Sequence, residues 1–430
     1  MPDQTKFPIT RRLFLKKSAK AGLAGLAMPT IVPATVFSKN SPSNRIVLGF
    51  VGVGGMGTGN LRGFLHKEDV RVVAVCDVDL KHREEARNSV NRFYRNNDCA
   101  AYNDFRDITR REDIDAVVIS TPDHWHVLPA IDAAKHNKDM YVEKPLTLTI
   151  REGRVLCDVV NRYGRILQTG SQQRSDASFR YACELVRNGR IGNVQTVEVT
   201  IPENNRDCGP VWSPESVPEG FDYDFWLGPA PWAPYTKDRT HYTFRFQLDY
   251  SGGQVTNWGA HYLDIAQWGL GMDDTGPVEI TGRGEFPKTG LFTTATYVDF
   301  DCLYANGTRL TCKTGGQGTK FIGADGWIFV NRDVLETHPA SLIKETIQPN
   351  EIHLQRSSDH QQNFLDCIRS RQKTIAHEEI GHRSASLCHL GNIAMLLKTP
   401  LTWNPQGEEF IGNASANAML GRPRRSLWSL

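Results

Sequence analysis

The sequence predicts an α/β protein, with an N-terminal doubly wound parallel sheet and a second α/β lobe built on a mostly antiparallel sheet. Three observations carry this expectation. Residues 45–77 read as strand, glycine turn, helix, strand and terminal carboxylate. Strand-like and helix-like runs then alternate as far as Val142, the βαβ pattern of a parallel sheet. From Val194 the apolar period becomes two: Val194, Thr196, Glu198 and Thr200 alternate with Gln195, Val197, Val199 and Ile201.

The first unit is the most informative. An apolar run over Ile46–Val51 leads into Gly52-Val53-Gly54-Gly55-Met56-Gly57. Gly52 suits the tight turn, Gly54 lets the backbone approach a pyrophosphate, and Gly57 lets the helix lie close on the strand. Met56 falls in the same stretch and joins the candidate cofactor contacts. The helix N-terminus offers unpaired N–H groups to phosphates. Asp77 follows Gly57 by 20 residues, where a carboxylate accepts hydrogen bonds from ribose hydroxyls. It would repel a 2′-phosphate, and Val78-Asp79 supply no arginine, so NAD is favoured over NADP.

A charged helix (residues 80–95) and a short strand (100–102) come next. The run 114–121 ends in Thr121-Pro122-Asp123-His124-Trp125-His126 and opens a helix to Asn137. Met140-Tyr141-Val142 ends in Glu143-Lys144-Pro145. The glycine turn, Asp77, Thr121–His126 and Glu143–Pro145 all lie at carboxyl ends of strands, where ligands bind in such sheets, so they converge on one crevice.

A helix over Ile150–Tyr163 and a strand over 166–170 lead to Ser171-Gln172-Gln173-Arg174 and a further helix to Asn188. The connection 203–239 is too long for a plain linker and is expected to be functional. Its Trp212, Trp226 and Trp232 either wall a sugar ring or serve packing. Residues 253–269 read as one helix, with Asn257, His261, Asp264 and Trp268 on one stripe. Strands at 278–286, 293–304, 309–314, 320–322 and 327–330, and helices at 358–370 and 379–398, complete the chain. The expected divisions are a leader and arm (1–40), a first domain (45–168) and a second domain (169–430).

Composition bounds the function. The 430 residues are 40% hydrophobic and 23% charged with a net charge of +2, and no basic block occurs beyond the first residues, so nucleic acid is not expected as a partner. The nine cysteines contain no Cys-x-x-Cys pair, which argues against a zinc or disulfide framework; no metal is expected. A two-residue turn at Asn306-Gly307 would set position 302 opposite 311 and point Cys312 to the other face. Thr10-Arg11-Arg12-Leu13-Phe14-Leu15-Lys16, followed by a mildly apolar run, resembles a twin-arginine (Tat) signal. It implies the Tat machinery as a partner and a periplasmic or cell-envelope location, with cleavage near Val32-Pro33-Ala34 or retention as an arm.

Glu143-Lys144-Pro145 after a strand of this type, preceded by Thr-Pro-Asp-His-Trp-His, resembles the Gfo/Idh/MocA oxidoreductases from about Arg45 to the end of the chain. Asp249-Tyr250-Ser251-Gly252-Gly253, Trp258-Gly259-Ala260-His261 and Arg422-Pro423-Arg424-Arg425-Ser426 are similar to the exported branch. The resemblance implies a Rossmann domain, a second domain whose large open sheet mediates homo-oligomers, and Lys144 beside the nicotinamide and the substrate hydroxyl. Alcohol oxidation needs a proton acceptor within hydrogen-bond reach, and Lys144 or His261 can serve; a protonated Lys144 would instead polarise the oxygen. The family usually carries an Asp where this chain has Asn257; an amide orients a hydroxyl but bears no charge, so the base falls to His261 and Lys144, with Asp264 a candidate to orient His261. His124 and His126 either close over the nicotinamide or simply start the helix. Glu143 can meet the cofactor ribose through side chain or backbone, and Gln172 or Gln173 the nicotinamide amide. Arg174, Arg239, His241, Tyr242 and Trp258 give polar, aromatic surroundings suited to a carbohydrate. The implied reaction is oxidation of a ring hydroxyl of a sugar, polyol or glycoside. Redox-neutral glycoside cleavage is the alternative, although the substrate-domain motifs of that branch are absent, and a non-catalytic dinucleotide-binding protein is a third.

Overall fold

The computed structural model describes residues 44–207, 209 and 211–429. The Tat-like segment lies outside them. Among the described residues no helix is long and apolar enough to cross a membrane.

The first lobe is a six-stranded sheet of β1 (Ile46–Val51), β2 (Val70–Cys76), β3 (Ala100–Tyr102), β4 (Ala116–Ile119), β5 (Asp139–Val142) and β6 (Leu167–Thr169). Its order is β3-β2-β1-β4-β5-β6, with every pairing parallel. The strand order reverses beside β1, which opens a crevice between the ends of β1 and β4. These strands are buried on both faces, so they read as continuous Val/Ile/Ala runs instead of alternating ones.

Local chemistry sets the helix ends. Asp79 caps Leu80–Tyr94 by accepting from the backbone N–H groups of Lys81 and His82. Thr149 and Glu152 form a capping box on Ile150–Tyr163, which ends at Gly164 in the left-handed conformation.

The second lobe contains a nine-stranded sheet of β7 (Val194–Ile201), β8 (Glu279–Gly282), β9 (Asp299–Leu303), β10 (Arg309–Thr314), β11 (Gly318–Gly323), β12 (Trp327–Val330), β13 (Leu335–His338), β14 (Leu401–Asn404) and β15 (Glu409–Phe410). Its order is β13-β12-β11-β7-β10-β9-β8-β14-β15, antiparallel except where β10 runs parallel to β7. The helices Ala177–Arg187, Gly259–Leu270 and Glu378–Leu397 enclose the core against one face of this sheet.

Several details differ from the expectations. The 253–269 helix breaks at Trp258 into Gln254–Asn257 and Gly259–Leu270. Cys302 pairs with Leu310, not with residue 311, because a longer turn through Tyr304–Thr308, with Gly307 at φ +87°, replaces the two-residue one. Cys302 and Cys312 therefore share the buried face, and both are free thiols. His360–Ser370 returns to the first lobe, where Phe364 makes edge contacts with Phe64 and Tyr141.

The turn after β1 leaves no room for a side chain on Gly57, whose added Cβ would sit 2.0 Å from the Gly52 carbonyl oxygen. Gly57→Ala is expected to cost about 1–3 kcal/mol of stability, as overpacking does, and to weaken dinucleotide binding; thermal denaturation with and without NAD measures both.

Candidate active site

A cleft of about 510 Å³ opens at the carboxyl ends of β1, β2, β4 and β5. Gly52 enters it at φ +80°, a backbone that favours glycine, and a Cβ there would also strike the Ser120–Thr121 backbone. Gly54 caps the eleven-residue helix Gly55–Leu65, with Met56 half-exposed at the cleft wall. Asp77 Oδ2 accepts from Val53 N and Oδ1 from Asp79 N, each at 2.9 Å. Burial pushes its carboxyl upward while these two N–H bonds hold it down. Each oxygen keeps a lone pair free.

Thr121, His126, Glu143 and Lys144 line the other end of the cleft. Thr121 Oγ1 is buried and has no hydrogen-bond partner. A buried hydroxyl left unmatched in a cleft with a glycine turn and a strand-end carboxylate fits a dinucleotide that supplies the missing contact.

Lys144 lies where the two lobes meet. Its Nζ donates to the backbone carbonyl of Asn257 at 2.8 Å and to Asn257 Oδ1 at 3.1 Å. Asn257 Nδ2 donates to Gln254 Oε1, which fixes the amide's orientation. Desolvation brings the Lys144 pKa down to about 8, with Arg245 and Arg332 pushing the same way against Glu143 and Asp123. His261, in the next helix, is buried, and its Nδ1 is unpartnered. Burial, then Lys144, Arg332 and His360, hold its pKa well below the usual histidine value, so the ring is neutral.

The remaining sequence candidates divide. Glu143 is buried and turned inward: Oε1 accepts from Asn60 and Gln172, and Oε2 from the Lys144 backbone N–H. Gln172 also donates to Tyr141 Oη. Tyr242 stands at the cleft wall and exchanges hydrogen bonds with Asn205. His126 faces the carbonyls of Pro145 and Thr121 with its two ring nitrogens. His124 faces the Trp226 carbonyl at 2.9 Å, and burial lowers its pKa to about 3; it anchors the second lobe and is not among the residues lining the cleft.

Arg174 and Asp264 are withdrawn from any substrate role. They form a bidentate pair at 2.8 Å inside the second lobe, both 1% exposed, with Asp273 completing the guanidinium's partners and Ser384 donating to Asp264. The carboxylate is thus spent on Arg174 and Ser384 and does not orient His261. The break at Trp258 separates Asn257 from the stripe that a continuous helix would have made.

Sequence reasoning missed a strap. Residues 218–228, within the long connection, cross the first lobe. Leu80 N donates to the Gly220 carbonyl, Asp222 N to the Val78 carbonyl, and Trp125 Nε1 to the Trp226 carbonyl. Phe221, Phe225 and Trp226 thereby roof the cleft. The C-terminal tail fastens the strap: Arg425 bonds Asp224 and the Gly228 carbonyl, while Trp428 packs edge-on against Trp125 and Phe225. The tryptophans of the connection and the repeated arginines of the tail were the available signals. Beside Asp77, Asp79, His82 and His241 bring one potential ligand atom each to within 4.8 Å of one another, a juxtaposition across lobes that no local spacing announces.

A model of the oxidoreductase family's NAD-binding Rossmann fold matches residues 46–171, and a model of its C-terminal alpha/beta domain matches residues 209–430. The chain belongs to the Gfo/Idh/MocA oxidoreductase family. Curated relatives include an alpha-N-acetylgalactosaminidase of Shewanella oneidensis, 34% identical over 176 residues. That match takes in 36% of this chain and 37% of the relative. A glycosyl hydrolase family 109 protein of Shewanella woodyi is 34% identical over 122 residues, 28% of this chain and 26% of that protein. Across these relatives the chain spans about a third of their length or less. Solved structures that share the fold include two with bound cofactor. The WlbA dehydrogenase of Bordetella pertussis, in complex with NADH and UDP-GlcNAcA, aligns with a TM-score of 0.63 at 16% identity, over 84% of this chain and 99% of that one. The scyllo-inositol dehydrogenase of Lactobacillus casei, with NAD(H) and scyllo-inositol, aligns at 0.60 and 17%, over 83% and 99%.

Removing a partner from a buried ion pair costs up to about 3–5 kcal/mol, and without Asp264 the buried Arg174 keeps only the part-exposed Asp273 as a carboxylate partner. Asp264→Asn is therefore expected to lower the melting temperature steeply while the pH profile of any surviving activity keeps its midpoint. A shifted midpoint would return Asp264 to the active site.

Proposed function

We propose that this member of the family oxidises a ring hydroxyl of a sugar, polyol or glycoside with NAD. The observation that carries the reading is the Lys144 ammonium, desolvated to a pKa of about 8 and held by an amide of the second lobe at the edge of the cleft. The glycine turn and helix N-terminus suit the pyrophosphate, and Asp77 suits a ribose diol. Thr121, His126 and Lys144 line the part of the cleft that would hold the nicotinamide. Bound NAD supplies the hydride acceptor.

The chain's own residues manage the proton. Lys144, about half deprotonated near pH 8, accepts the hydroxyl proton through Nζ. Asn257 keeps that Nζ aimed without adding charge. A carboxylate at 257 would lie within hydrogen-bond reach of the ammonium, stabilise its charged form and raise its pKa. His261 is a weaker base, since its pKa is held well below the ordinary value. It serves better as a neutral hydrogen-bond partner that orients the hydroxyl. The nine-stranded sheet is the surface through which copies of the chain would assemble.

A second reading, redox-neutral glycoside cleavage with retained cofactor, is favoured by the strap and tail that roof the cleft and by the name of the S. oneidensis relative. Incubation with an aryl glycoside separates the two readings. Net NADH without phenol is the expected result, and phenol without NADH would replace the first reading by the second.

Turnover should rise about tenfold per pH unit below pH 8 and level off above it. Lys144→Met should abolish turnover with NAD affinity intact. Asn257→Asp should move the midpoint to higher pH. An unchanged midpoint in Asn257→Asp, or full activity in Lys144→Met, removes Lys144 from the proton-accepting role.

A further inference from the structure

Two guanidinium groups come to the Lys144 site from separate elements of the second lobe. Arg245, in the turn His241–Phe246, lines the cleft with Lys144, Asp123 and Tyr242. Its Nη1 donates to the Tyr242 carbonyl at 2.9 Å, and its guanidinium carbon lies 4.7 Å from the ring centroids of both Tyr242 and Phe244. Arg332, in the loop between β12 and β13, lies 4.8 Å over the Trp258 ring. In the amide orientation that satisfies both its groups, buried Gln173 accepts from Arg332 Nε at 3.2 Å and donates to the His261 carbonyl at 3.2 Å. Each guanidinium is therefore fixed by aromatic faces and a single hydrogen bond. Most of its five N–H donors remain unspent.

Elsewhere Arg174 lies between Asp264 and Asp273 and half-buried Arg154 between Glu379 and Glu408, while buried Arg239 is matched by the neutral oxygens of Gln247 and Pro234. Among the described residues no ion pair engages Arg245 or Arg332. The acids nearby do not fill that role. Glu143 is turned inward to Asn60 and Gln172, Asp123 accepts from Ser251 at 2.6 Å, and Asp333, exposed like Arg332 itself, makes no ion pair with it; Arg245 is half-buried. Arg245 shares the cleft wall with Lys144, and Arg332 stacks on Trp258, the residue after the Asn257 that holds the ammonium, so two further cations border the Lys144–Asn257 contact. Planar forks match carboxylates bidentately, and such charge-assisted bonds are stronger than those between neutral groups.

We infer that the substrate is an acidic sugar of the uronate or aldonate type, whose carboxylate is taken by Arg332 while Arg245 supplies a second positive charge. This rests on the oxidoreductase reading above and narrows its substrate class.

The test uses the full chain saturated with NAD. Isothermal titration compares glucuronate, galacturonate and gluconate with glucose, galactose and their 6-phosphates, and absorbance at 340 nm follows turnover of the same compounds. At least one acidic sugar should bind about ten- to a hundredfold tighter than its neutral parent, the range of one charge-assisted bidentate contact. Arg332→Gln should erase most of that ratio with NAD affinity and melting temperature unchanged, and Arg332→Lys should restore part of it. Equal binding of neutral parents, preference for the 6-phosphates, no binding of any acidic sugar, or a ratio intact in Arg332→Gln overturns the inference. Arg332-dependent binding of an acidic sugar without NADH from any compound would sink the oxidoreductase reading instead. Turnover of neutral and acidic sugars alike would sink only the acidic-sugar inference.

Discussion

The Lys144 ammonium joins the two lobes: it leaves the carboxyl end of β5 and ends on two oxygens of Asn257. An ammonium withdrawn from water is costly unless its donors are matched. Here the match is made by neutral oxygens, so the group is held in place while its proton stays labile. The roof over the cleft, the split in the following helix and the unpartnered His261 Nδ1 take their meaning from that arrangement.

The structure separates groups that position from groups that react. Arg174, Asp264, Asp273 and Ser384 form a closed, buried network in which each carboxylate oxygen is accounted for, and such a network rigidifies the helix that carries His261. By contrast, Thr121 Oγ1, His261 Nδ1 and the free N–H groups of Arg245 and Arg332 are unmatched, and three of these residues belong to or border the Lys144 site. Unmatched polar atoms at a cleft are where a ligand gains most, above all at Thr121 Oγ1 and His261 Nδ1, where burial has already removed the water.

Closure is built from the ends of the chain's own connections. The strap 218–228 pairs with the backbone after β2, and the tail residues Arg424, Arg425 and Trp428 hold strap and first lobe together, Arg424 reaching the Glu152 of the capping box. The cleft is consequently walled by side chains far apart in sequence.

The sequence by itself determined the first lobe: the glycine turn, Asp77, the strand ends at Thr121 and Glu143-Lys144, and the switch to period two at Val194. Each of these signals is local, set by backbone sterics or by burial on one or both faces of a strand. Position Asn257 and its partnership with Lys144 were half legible, since the spacing marked the residue but a continuous helix aligned it with His261 and Asp264. Only the tertiary structure decided the rest. Arg174 and Asp264 are 90 residues apart and become a buried pair only once two elements pack. The strap, the tail that fastens it, and the arrival of Arg245 at the cleft of Lys144 are long-range charge and packing choices. No periodicity records them, because the free energy that selects them exists only after the chain has closed on itself.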